Sequence, residues 1–410
     1  MTPRPGGPVA VTGLGLVSAA GADVDSNWKT VLAGISTAAE DPHLADLPYR
    51  VTCRVPEMNL PGLLGRGRPR RLDRFVQLAL VAARQAVADA GLGGGAWDGA
   101  RVAVVLGSAL GGTATWEAQH TRFHDHGPAR ISPLVLPMCL PNMASGEVAI
   151  DLGTRGPSLS VSTACASGTT AIGLARDLLL HNRCDVALAG ATEACLSPFT
   201  VTAFGRMNAL ADPAQPAAGA SRPFDADRSG FVMGEGAGIL VLERPDDARS
   251  RNATVRALVT GFGSSTDAYH STAPDPSGKS AALAVHAALA DAGLGAGDVQ
   301  HVNAHGTSTR LNDITEAGLI ARTYDANPSV TATKGVTGHT LSAAGALEAA
   351  YTVLTIQHGV TPPVANLTRV EDCAGIDLIR GGSRREAVQV AVSHSFGFGG
   401  HNAVLVVQRA

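Results

Sequence analysis

The chain repeats itself. "AVTGLGLVSA" at 10–19 returns as "LVTGFGSST" at 258–266, and "AVADAGL" at 86–92 returns as "ALADAGL" at 288–294. "GEGAGILVLER" at 234–244 returns as "GFGGHNAVLVVQR" at 397–409. The stretch around Cys165 returns as "SVTATKGVTGHTLSAAGALEAAYTVL" at 329–354. Four echoes in one order predict a duplicated domain. Each copy alternates apolar, β-type runs with Ala-rich helical stretches, so the fold class is α/β. The polar, charged "ERPDDARSRNAT" at 243–254 marks the boundary, giving halves 1–250 and 251–410. Two such halves pack across a pseudo-two-fold, so equivalent turns can meet at one site.

Composition narrows the function. Hydrophobic residues at 45% and charged residues at 16% supply large cores and exclude disorder. A net charge of −3 argues against general nucleic-acid binding. The six cysteines, at 53, 139, 165, 184, 195 and 373, form no C-x-x-C pair, which fits reduced thiols in the cytoplasm. The opening "MTPRPGGPVAVTGLGLV" has no long uninterrupted apolar core, and no apolar run approaches about 18 residues. Neither a signal peptide nor a membrane span is expected. "GLGLVSAAG" is no dinucleotide loop, because Ser18 stands where the third glycine belongs.

One cysteine stands apart. In "VSTACASGTTAIGLARDLLL", 161–180, Cys165 follows a strand-like run and precedes helical spacing from Thr169. Its small neighbours permit a sharp turn and a close approach by substrate. A helix N-terminus there would favour a thiolate and an oxyanion. A buried structural cysteine is the alternative.

Two of the thirteen histidines share this address. His305 in "VNAHGTSTRLND" and His339 in "TATKGVTGHT" both lie in Gly/Thr-rich turns after strand-like runs, where open α/β sheets carry their sites. The duplication sets the His339 turn opposite the Cys165 turn. Two histidines aimed at one acyl group suit a reaction that builds charge on a carbonyl oxygen. Lysine occurs only at 29, 279 and 334 in a chain that otherwise uses arginine. Lys334, five residues before His339, is either an ordinary surface lysine or a position that guanidinium cannot fill, with Glu348 as partner. "SHSFGFGGHNAVLVV" at 393–407 offers glycines for tight backbone and amides for an oxyanion hole, with Phe396 and Phe398 as core or gate. "HTRFHDHG" holds His120, His124 and His126, but no Glu or Cys partner at zinc spacing. "RGRPRRLDR" concentrates Arg66, Arg68, Arg70, Arg71 and Arg74, a solvated face or a dock for an acidic partner.

Together these stretches resemble the β-ketoacyl-acyl-carrier-protein synthases, condensing enzymes of the thiolase superfamily. "TACASG" is similar to the nucleophile turn, "NAHGTST" to the first histidine loop, "TKGVTGH…AAGALE" to the lysine and second histidine, and "SFGFGG" to the gating loop. "SRPFDADRSGFVMGEGAG" at 221–238 is a further signature. The resemblance implies a five-layered αβαβα thiolase-like fold and no resident cofactor or metal, the substrates riding on the phosphopantetheine of acyl carrier protein. It implies an acyl thioester on Cys165 and an enolate, from decarboxylated malonyl-carrier protein, held by His305 and His339. Amides of Cys165 and Phe398 form the oxyanion hole, and Lys334 with Glu348 orders the His339 loop. Thr272, Pro274, Thr307, Thr309 and Phe396 line the substrate path, and 129–143 lines the acyl channel and dimer interface. Ser229, Asn312, Ser342 and His401 depart from the common pattern. Asn312 is similar to type II polyketide ketosynthases, which favours a discrete polyketide or polyene ketosynthase over a fatty-acid elongation enzyme. The dimer partner would be a second copy or a paralogous chain-length-factor-like subunit. A non-catalytic subunit would lack Cys165, and a degradative thiolase would need a second catalytic cysteine in the second half, where the one cysteine, Cys373 in "VEDCAG", lies away from any Gly-rich turn.

Overall fold

The computed structural model describes residues 7–93, 97–370 and 375–410; Cys373 lies outside them. The first half contributes strands β1 (Val9–Ser18), β2 (Val102–Gly107), β3 (Ser158–Val161), β4 (Val186–Glu193) and β5 (Gly236–Glu243). The second contributes β6 (Ala257–Thr266), β7 (His301–Asn303), β8 (Ser329–Thr331), β9 (Asp377–Leu378), β10 (Val390–Gly397) and β11 (His401–Gln408). They form one 11-stranded sheet in the order β9-β8-β7-β10-β11-β6-β1-β5-β4-β2-β3. Read outward from the centre, each half runs first, last, fourth, second, third strand of its own set, with β9 added at one edge. The halves join where β1 and β6 pair antiparallel, Val9 opposite Val259.

Helices α1 (Arg74–Asp89), α2 (Thr113–His126), α3 (Ser167–Leu180), α4 (Lys279–Ala292), α5 (Arg310–Thr323) and α6 (Ala344–His358) complete the frame. The strands sort their side chains with the two-residue period of a pleat. Ala103 and Val105 of β2 enter the central core that holds α3 and α6, while Val104 and Leu106 enter the outer core against α1. A third core packs α4 and α5 on the far side of the second half. Each half of the sheet therefore lies between outer helices and the central pair, α3 and α6.

The two central helices cross through glycine. A Cβ on Gly168 would stand 2.7 Å from Ala346 N, and one on Gly345 would stand 2.2 Å from Thr169 Oγ1. The small residues after Cys165 thus serve helix–helix contact as well as substrate access. Among the described residues no helix is long and apolar enough to cross a membrane.

Candidate functional site

The turn between β3 and α3 carries Cys165 with its backbone locked. Ser167 Oγ donates to Ala164 O at 2.6 Å and accepts from Thr163 N at 2.9 Å. Ala164 is forced to φ 48°, a conformation that costs a non-glycine residue about 1 kcal/mol or more. Gly397 lies over this turn, where a Cβ would stand 2.6 Å from Thr163 O. That closeness brings the backbone N–H of the next residue, Phe398, to the side of the Cys165 sulfur, where it pulls the thiol down. The helix terminus does not make Cys165 a thiolate. Burial dominates and pushes the thiol up to about 12, against the pull of Lys334.

His339 Nε2 lies 3.2 Å from Cys165 Sγ. Its backbone is pinned by the 221–238 signature, with His339 N donating to Val232 O at 2.7 Å and Gly234 N donating to His339 O at 3.0 Å. His305 faces it edge to face, ring centroids 5.4 Å apart. Burial lowers both imidazoles well below the ordinary histidine range, and Lys334 lowers them further. Both rings are neutral at pH 7.

The Lys334 side chain reaches across to the first histidine. It is 1% exposed, and Nζ donates to His305 O at 2.6 Å, His305 Nδ1 at 3.2 Å and Glu348 at 2.5 Å. Three ammonium hydrogens meet three acceptors. With Nδ1 accepting, His305 carries its hydrogen on Nε2. Burial pushes Glu348 up to about 7 against the pull of Lys334. In His339, by contrast, Nδ1 is buried with no partner among the described residues.

Glu316 completes the His305 loop and was not legible in advance. Its carboxylate accepts from His305 N at 2.8 Å and Gly306 N at 2.7 Å. The signature segment braces this loop too: Phe224 N donates to Asp313 at 2.8 Å, and Arg222 N donates to Ser308 Oγ at 3.0 Å.

Cys165, His305, His339, Phe396 and Phe398 open on one cavity of about 500 Å³. Thr272, Pro274, Thr307 and Thr309 line it as well, with Thr272 exposed at its mouth. Its apolar wall includes Leu110, Phe204, Met207 and Phe231. Phe204 lies 5.6 Å from Phe231 and 6.4 Å from Phe398, ring to ring. Of the departures from pattern, Ser229 and Asn312 line the cavity.

The arginine run divides. Arg66, Arg70 and Arg71 are exposed. Arg68 folds back onto Asp151 and Glu147, and Arg74 grips Glu235 with two 2.7 Å bonds. These two hold the fold and are withdrawn from the docking set. His120 Nε2 and His124 Nε2 lie 3.3 Å apart on the exposed α2, and among the described residues no group of three or more His, Cys, Asp or Glu could hold a metal.

A buried thiol under two neutral imidazoles, on a duplicated sheet with two central helices, defines a thiolase-like enzyme. Residues 7–248 match "Beta-ketoacyl synthase, N-terminal domain" and residues 256–368 match "Beta-ketoacyl synthase, C-terminal domain". The chain belongs to the β-ketoacyl synthase family. It is 39% identical over 408 residues to a 3-oxoacyl-[acyl-carrier-protein] synthase 2 of Staphylococcus aureus, covering 98% of each chain. The ishigamide ketosynthase/chain length factor superposes with a TM-score of 0.92 at 31% identity, covering 98% of this chain and 99% of that one. The AntDE:AntF complex, a type II PKS acyl-carrier protein with its ketosynthase bound to the hexaketide, superposes with a TM-score of 0.92 at 29% identity, covering 99% and 100%.

Proposed function

We propose that the chain condenses an acyl group held on Cys165 with malonyl-acyl-carrier protein, releasing carbon dioxide and forming 3-oxoacyl-carrier protein. The observation that carries this is the convergence of Sγ, two neutral imidazoles and the Phe398 N–H on one cavity. The resting sulfur is a thiol, and His339 Nε2 is the group within reach of its proton. Sγ attacks the incoming thioester carbonyl, and the proton leaves on the departing pantetheine sulfur. A free Nδ1 leaves His339 uncommitted to one tautomer, which suits a ring that handles this proton. When malonyl-carrier protein follows, the C–C bond to the carboxylate breaks and its electrons move onto the thioester oxygen. His305 Nε2–H, set by Lys334, and His339 hold that enolate without first having to lose a proton. Its carbon attacks the acyl-Cys165 carbonyl, whose oxygen gains charge at the N–H groups of Cys165 and Phe398. Collapse expels Cys165 sulfur as a thiolate, which takes up a proton from solvent and returns to the resting thiol.

The pathway reading is a discrete ketosynthase of type II polyketide or polyene synthesis, favoured by Asn312 and by the ketosynthase neighbours. Chain elongation in fatty-acid synthesis is the second reading, favoured by the 39% identity to synthase 2 proteins. Both act in the cytoplasm on acyl carrier protein, which docks on Arg66, Arg70 and Arg71. Strand β3 is the edge of the sheet with Ser158 to Ser160 exposed, and Leu134, Leu136 and Leu140 are exposed nearby in sequence. We assign this face to the dimer partner, a second copy or a paralogous subunit.

The test separates the half-reactions. Acyl-carrier protein should acylate Cys165 alone, read by mass spectrometry. His305→Ala and His339→Ala should lose decarboxylation of malonyl-carrier protein by about 10²–10³. Acylation of a Cys165→Ala variant at another cysteine, or normal decarboxylation by either histidine variant, would overturn the assignment.

A further inference from the structure

One fully buried histidine has no part in these steps. His394 lies in β10 with 0% exposure. Its Nδ1 is 3.1 Å from Glu316 Oε1, and its Nε2 is 2.8 Å from Tyr324 Oη. A carboxylate only accepts, so Nδ1 carries the hydrogen. Nε2 then accepts, and Tyr324 O–H donates. The reverse tautomer would leave two acceptors facing each other at Glu316. It would also leave the Tyr324 hydroxyl hydrogen buried without an acceptor, since His394 is its one partner among the described residues. One assignment therefore satisfies the whole chain of groups.

That chain ends on the His305 loop. Glu316 Oε1, the oxygen that His394 holds, is also the oxygen that accepts His305 N–H. The rings give a second link: His394 is 5.6 Å from Phe396, and Phe396 is 5.8 Å from His305. Tyr324 stacks on His394 as well, 6.0 Å away and 21° from parallel. His394 thus supports His305 through its backbone and through the ring packed beside it.

We propose that His394, braced by Tyr324, is a positioning residue for His305. It holds the Glu316 carboxylate in the rotation that fixes the His305 and Gly306 N–H groups, and so holds the His305 ring where the enolate oxygen forms. The proposal rests on the reading of His305 as an enolate donor. Positioning a catalytic ring is needed in only one half-reaction, and this separates it from a general structural role.

The experiment uses the full chain with His394→Leu, His394→Asn and Tyr324→Phe. Acyl transfer to Cys165 and carbon dioxide release from malonyl-carrier protein are measured separately. His394→Leu should slow carbon dioxide release by about 10- to 100-fold and leave acylation within about 3-fold, the cost of an ångström-scale misplacement. His394→Asn keeps an N–H donor toward Glu316 and should restore most of the loss. Tyr324→Phe removes a single oxygen and should slow carbon dioxide release by a few fold, again without slowing acylation. It carries the test if His394→Leu does not fold. Equal slowing of both half-reactions, or no change in either, overturns the proposal. Failure of the unaltered protein to release carbon dioxide would instead overturn the reading on which it rests.

Discussion

Lys334→Met separates what the buried lysine does for the fold from what it does for the chemistry. Lys334 and Glu348 are 1% and 2% exposed at the side chain, and their ion pair spans 2.5 Å. Removing one partner of such a pair costs about 3–5 kcal/mol, because the other charge stays buried alone. Here the stranded group is Glu348, which burial already lifts from 4.5 to about 7 with Lys334 in place. Without Lys334 it rises further and can protonate. A carboxyl whose folded value is raised gives no penalty below its unfolded value, and loses stability as pH rises through the folded one. In the unaltered protein this loss levels off above about 7, where Glu348 ionises beside Lys334, whereas in the variant it goes on growing by about 1.4 kcal/mol per pH unit until the higher folded value is reached. Thermal melting of Lys334→Met should therefore fall further below the unaltered protein above pH 7 than at pH 6. Adding Glu348→Gln removes the stranded charge and should return most of the stability. It should not return decarboxylation, because His305 Nδ1 still lacks the donor that sets its tautomer. Both variants should release carbon dioxide about 10²–10³ more slowly, the usual loss for one preorganised donor. A stable double variant that decarboxylates at the unaltered rate would refute the tautomer argument.

Two other perturbations test other parts of the molecule. Arg70→Glu with Arg71→Glu should raise the apparent KM for carrier-bound substrate, more at low salt than at high, and leave a small pantetheine thioester nearly unaffected, as exposed charges steer encounter. Equal loss with both substrates would make these arginines structural. Gly168→Ala should cost about 1–3 kcal/mol in thermal or denaturant unfolding, because its Cβ would meet Ala346 N at 2.7 Å and force the central helices apart; an unchanged midpoint would show that the crossing tolerates separation.

Cys165, His305 and His339 were legible because each sits in a small-residue turn after a strand, and repetition predicted which turns would face each other. Lys334 stood out by rarity alone. Its partner Glu348 was legible, but its attachment to His305 was not, because the bond joins residues 29 apart. Glu316 and His394 gave no local signal. Glu316 acts on backbone N–H groups eleven and ten residues earlier, and His394 looks like one more histidine in an apolar strand until Tyr324 packs on it. Arg68 and Arg74 read as part of a basic face because Asp151, Glu147 and Glu235 lie 79 or more residues away. Burial raises the Cys165 thiol, against the thiolate that a helix terminus would favour.

The segment 221–238 belongs to the first half by sequence yet pins the backbone of His339 and braces the His305 loop, both of the second half. Recombination among relatives must respect that bond rather than the charged stretch at 243–254. A chimera crossing over at 250 would pair one parent's histidine loops with another parent's brackets. Crossing over upstream of Ser221 carries loops and brackets together. The unit that can be exchanged is therefore set by who holds the histidines, not by where the duplication was joined.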